Sequence, residues 1–152
     1  MKKDIVQLVI AFFTLVFGGA AEELAPKTLG VGLPVLLSAA VYFARRRTPL
    51  VGMLFAVAAG AAEDALSGLP YALSVSYFAA VAGLMRGFKL SVGFAVPAYC
   101  LYQVWLWIWL GQSLVGGVFL RMLMALPVGV AVLAATHAAL YWIDRKAAVD
   151  EK

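Results

Sequence analysis

Two adjacent carboxylates, Glu63 and Asp64, stand inside the stretch "AAGAAEDALSGLP" (residues 58–70), among alanines and glycines. In so apolar a setting a carboxylate needs a partner: free backbone N–H groups, a cation, or a ligand. Glu63, Asp64 and Arg121 make a candidate polar cluster, with Glu22 and Glu23 as further acids on the same side of the chain's charge pattern. The remaining reactive types are sparse. His137, the one histidine, has no companions with metal-ligand spacing, so it reads as a hydrogen-bonded packing residue and no metal or cofactor is expected. Cys100 is alone in an apolar run and forms no disulfide framework. With no nucleophile–base pair and no phosphate loop, an enzyme is not expected.

The elements that must position these residues follow from composition. Of 152 residues, 64% are hydrophobic and 13% charged, and the mean hydropathy is +0.95; a soluble domain is nearer half apolar and a quarter charged. The apolar runs are continuous rather than alternating, which excludes a transmembrane β-barrel and predicts an all-α integral membrane protein. Six spans are expected, at about 5–21, 29–44, 50–66, 70–88, 90–111 and 115–143, forming a single domain over residues 1–152 with no internal repeat. Lys2, Lys3, Arg45, Arg46, Arg47, Arg86, Lys89, Arg145, Lys146 and Lys152 fall on one side, against Lys27 and Arg121 on the other. That asymmetry predicts that both termini are cytoplasmic. It also accounts for a pI near 9.4 without nucleic acid. The opening "MKKDIVQLVIAFFTLVFGGAAEE" shares features with a signal peptide, and cleavage would leave five spans; the six-span charge pattern favours its retention.

The third span carries a row of small residues, Gly52, Ala56 and Gly60, on which Asp64 continues at the same spacing of four. Such a row admits a close helix neighbour. The fourth span, with Ala72, Ser76, Ala79, Ala80 and Gly83, is the expected partner in a tight hairpin. Gly68 suits a left-handed helix cap and Pro70 the first turn of the next helix. Asp64 then sits at the wrong end of its own helix dipole and must be compensated. Two readings stand: a latch onto free N–H groups at the start of the fourth helix, or a ligand or partner site. Glu63, one position round the helix, is expected to face water or a neighbouring group.

The pattern Gly60, three residues, Asp64, two residues, Ser67, Gly68, then Pro70, resembles the G-x-x-x-D-x-x-S-G signature of the rod shape-determining MreD family. "PKTLGVGLPVLLSAAVYFARRRTPLVGMLFAVAAG" is similar to that family's second span, basic turn and glycine-rich third span, so the likeness covers about residues 26–85. Tyr71 and Ala72 depart from the family's usual residues after the proline. The resemblance implies a non-enzymatic bacterial inner-membrane component of the lateral wall-elongation machinery. It would bind a single-span MreC-type protein and, through it, cytoskeletal and peptidoglycan-synthesising partners. It also implies a fold similar to the substrate-binding subunits of energy-coupling-factor transporters.

Near the outer end of the fifth span Trp105, Trp107 and Trp109 crowd together, either as an interfacial belt or, for Trp105 and Trp109 on one face, as a dock for a partner helix. Gln103 can hydrogen-bond between helices. Arg45–Arg47 and Arg145–Lys146 are topology anchors that can also attract anionic lipid or an acidic partner. The rival function is a small-molecule-binding subunit of the energy-coupling-factor type, with Glu63, Asp64 and Arg121 lining an outward pocket; the bulky "AFFTLVF" of the first helix counts against it. An ion or proton pathway would need polar residues through the membrane depth, which the inner half lacks beyond His137.

Overall fold

The computed structural model describes residues 2–29, 34–69, 72–109 and 117–149. These form six helices: α1 (Lys2–Leu29), α2 (Val35–Arg46), α3 (Pro49–Ser67), α4 (Leu73–Gly87), α5 (Ala95–Trp109), preceded by a 3₁₀ turn at Val92–Phe94, and α6 (Gly117–Val149). No strand occurs among the described residues. Three helices contain segments long and apolar enough to cross a membrane, at Ile5–Leu24, Pro49–Ser67 and Leu126–Lys146, which marks the chain as a membrane protein.

The other three are shorter than the expected spans. α2 has 12 residues, and α4 and α5 have 15 each, about 18 and 22 Å against a hydrocarbon core of roughly 30 Å. The second helix starts at Val35, not near residue 29, because α1 continues to Leu29 and Pro34 takes the cap position of α2. The fourth starts at Leu73 rather than residue 70, since Ala72 at its cap adopts a left-handed φ of 70°. The last helix runs on past 143 to Val149.

α2 is the centre of the bundle. All nine residues from Leu36 to Ala44 are buried, as expected of a helix that is apolar all round. It packs against α1, α3, α4, α5 and α6. Phe43 stacks face to face on Phe55 of α3, ring centroids 4.2 Å apart. The row on α3 therefore serves two neighbours instead of one. A Cβ on Gly52 would stand 2.9 Å from Ala44 Cα of α2, whereas one on Gly60 would stand 2.6 Å from Val75 Cα of α4, with Ala56 fully buried between them.

The small residues expected to answer from α4 do not form its inner face. Ala72, Ser76 and Ala80 are exposed, and Gly83 has open space beside it. Leu73, Ser74, Phe78, Val81, Ala82 and Met85 point inward instead. The helices approach backbone to backbone at Gly60, and Phe78, Val81, Ala82 and Met85 carry the inner face of α4 further along. Elsewhere a Cβ on Gly129 of α6 would meet the Tyr99 ring at 2.7 Å, so that glycine admits α5.

Gly60→Leu should cost a few kcal/mol by overpacking, of the order of 1–3 kcal/mol even when the neighbours relax, whereas Gly83→Ala should be neutral. Thermal unfolding of both variants in detergent checks this; equal melting temperatures for parent and Gly60→Leu would remove the close approach.

Candidate functional site

At the α3–α4 turn Gly68 is left-handed with φ 62°, and Leu69 N–H donates back to Asp64 O at 3.0 Å, the six-to-one bond of a Schellman cap. The next helix opens without a capping side chain of its own, since Ala72 offers none. Asp64 supplies it from ten residues upstream. The carboxylate is buried, 5% exposed; Oδ1 accepts from Ser74 N–H at 2.8 Å and Oδ2 from Val75 N–H at 3.3 Å. Of the two readings of Asp64, the latch is the geometry observed, with both oxygens occupied. Two free donors of α4 are satisfied and the anion lies at the positive end of that helix.

The same device occurs at the α1–α2 turn. Pro34 at the cap of α2 has no side-chain acceptor, and Glu22 near the end of α1 accepts from Leu36 N–H at 2.7 Å. Sequence reasoning treated Glu22 only as a spare acid. Gly19-Ala20-Ala21-Glu22-Glu23 resembles Gly60-Ala61-Ala62-Glu63-Asp64 in composition, but it sets Glu22 opposite Glu63 rather than the capping Asp64, so it did not single out Glu22. The equivalent residues Glu22 and Glu63 lie against each other, and Glu63 Oε1 also accepts from Ser67 Oγ at 3.3 Å.

Glu63 is thus joined to Glu22 and Ser67, while Asp64 is spent on α4. Pro70 and the Arg121 side chain lie outside the described residues, so the cluster of Glu63, Asp64 and Arg121 is described only in its acids. Beside Asp64, Ser74 Oγ and Tyr102 OH are 2.6 Å apart, and Tyr77 OH donates to Ala98 O at 2.5 Å, tying α4 to α5. Trp105 belongs to this internal network, because its Nε1–H donates to Leu73 O at 3.2 Å. The two tryptophans considered for docking lie against each other, ring centroids 5.6 Å apart, with Trp105 half-buried and Trp109 62% exposed.

At the opposite end, Tyr42 OH donates to Asp144 Oδ2 at 2.8 Å, and the Arg47 guanidinium pairs with Asp144 Oδ1. Arg86 donates to the Arg47 carbonyl, so α2, α4 and α6 are closed together there. His137 Nε2 lies 3.1 Å from Ser38 O, a contact within the packing. Asp144 was missed because "YWIDRK" reads as a solvated helix end. Between the two polar ends, α1 and α6 both lean on α2 and leave an apolar lateral groove of about 430 Å³.

No protein-family model matches the chain, and no curated protein or solved structure does.

Asp64→Ala should strand the N–H groups of Ser74 and Val75 at a cost of about 1–3 kcal/mol, with Asp64→Asn retaining part of the effect. Glu22→Ala should behave alike through Leu36. Melting temperatures of the three purified variants decide it: a harmless Asp64→Ala would mean that water replaces the latch.

Proposed function

We propose that this protein is a non-enzymatic scaffold of the bacterial inner membrane, resembling MreD, whose six helices all cross the bilayer with both termini in the cytoplasm. It binds an MreC-type single-span protein and thereby the cytoskeletal and peptidoglycan-synthesis proteins of lateral wall elongation. The observation that carries the reading is the placement of α1. Only 11% of its span is buried, against 33% for that of α3, and Leu8 and Phe12 are 73% and 61% exposed. A helix held along so narrow an edge presents a stripe, Ile5, Leu8, Phe12 and Val16, on which a second membrane helix can pack. The signature residues support the same reading from within, since Gly60, Asp64 and Gly68 build the hairpin and Ser67 bonds Glu63 beside it. A transporter-type small-molecule pocket has less to rest on, because both Asp64 oxygens are occupied and the large groove is lateral and apolar.

Reporter fusions at Lys152 should read as cytoplasmic and those within residues 111–116 as external; an external C-terminus would sink the six-span arrangement. Purification from native membranes should capture an MreC-type protein, and a Leu8→Ala, Phe12→Ala double variant should weaken that capture by at least about ten-fold. Unchanged capture would move the dock to another face, such as that of Trp109. A small metabolite co-purifying in place of any protein would favour the transporter reading.

A further inference from the structure

The lateral groove has a definite length, wall and mouth. Val9, Phe13 and Phe17 of α1 form one side and Thr136, Ala139 and Ile143 of α6 the other. It reaches Gly18 and Val35 at its deep end, where α1 presses on α2 so closely that a Cβ on Gly18 would stand 3.0 Å from Leu36 Cδ2. Thr14, which also lines it, donates its hydroxyl to Ile10 O at 2.7 Å and so presents little polarity to the groove. From Thr136 to Lys146 is ten residues of helix, about 15 Å, or half of a hydrocarbon core of roughly 30 Å. The groove is therefore one leaflet deep.

That depth decides the occupant. A membrane helix crosses both leaflets, whereas the groove is only about one leaflet long. A single acyl chain enters from one face and ends near the midplane. The mouth then selects the head group. The face of α6 that carries Thr136, Ala139 and Ile143 continues at helical spacing to Lys146, whose Nζ sits 4.1 Å from the Trp142 ring. Arg145 is exposed next to it in sequence. The nearby acid, Asp144, is already paired with Arg47 and Tyr42, which leaves the rim positive. Trp142, under the Lys146 ammonium, is of the aromatic type that settles at head-group level.

From this we infer that the α1–α6 groove is a binding site for one anionic phospholipid, with an acyl chain along Phe13 and Ala139 and the phosphate at Lys146. The proposal does not rest on the scaffold reading: none of Ile5, Leu8, Phe12 and Val16 lines the groove, although their stripe borders it on α1.

Native mass spectrometry of the purified chain, offered phosphatidylglycerol or phosphatidylcholine with identical acyl chains, tests the site. The parent should retain one phosphatidylglycerol with a preference of about five-fold or more, the contribution of a single basic side chain near a membrane surface. Ala139→Trp should lose both lipids by filling the groove, and Thr136→Phe, which blocks it deeper, guards against a folding defect in the first variant. Lys146→Gln should retain lipid but lose the preference for phosphatidylglycerol. Equal retention of the two lipids by the parent would overturn the proposal, as would full retention of phosphatidylglycerol by both groove-filling variants. Capture of a partner helix that disappears in those variants while lipid retention persists would also overturn it, by giving the groove to a protein.

Discussion

The first backbone N–H groups of every helix lack partners within the helix, and in lipid no water supplies them. α2 and α4 begin this way, and neither cap residue can help: Pro34 and Ala72 carry no side-chain acceptor. The rest of the fold depends on how that deficit is met. In each case an acid near the end of the preceding helix reaches across the turn, Glu22 to Leu36 and Asp64 to Ser74 and Val75. Chain reversal and helix capping become one interaction. It draws the end of α1 onto the start of α2 and the end of α3 onto the start of α4, and the resulting pair of hairpins packs around α2. A neutral cap would satisfy the same donors, but an anion gains in addition from the dipole of the helix it caps, and relieves the mismatch with the one it ends.

How much of this was legible depends on the distance over which each signal acts. Asp64 was readable because its row, the Gly68 cap and the next helix all fall within a dozen residues, so local geometry left few places for the carboxylate. Glu22 acts across fourteen residues, and no glycine cap or small-residue row beside it restricts where its carboxylate can go. The inner face of α4 was misread for another reason. Small residues mark a packing surface only where the backbones approach, as at Gly60; along the rest of α4 the buried face carries Phe78 and Met85, which small-residue spacing does not reveal. Trp105 shows the limit of composition, since a belt tryptophan and one that donates to a buried helix carbonyl look alike in sequence. The Asp144 contacts with Tyr42 and Arg47 span about a hundred residues, and no local pattern announces them.

The polar groups described at both ends bond chiefly within the protein, with Glu22 Oε2, Arg47 Nε and Arg86 Nε buried and left without a hydrogen bond. Asp64, Glu22, Tyr102 and Trp105 hold one end, and Asp144, Arg47, Arg86 and Tyr42 the other. What the bundle offers outward is chiefly lateral. α1 makes the point most clearly. Its residues at 5, 8, 12 and 16 and those at 9, 13 and 17 form adjacent exposed stripes about a quarter turn apart. Association between such surfaces in lipid has no hydrophobic driving force, because lipid tails are as apolar as leucine, and it must come from fit. A rigid core is then a condition of selectivity. The acid caps tie α2 and α4 to the helices before them, and α1 and α6 pack against α2, so the shape they present to the bilayer is held from behind.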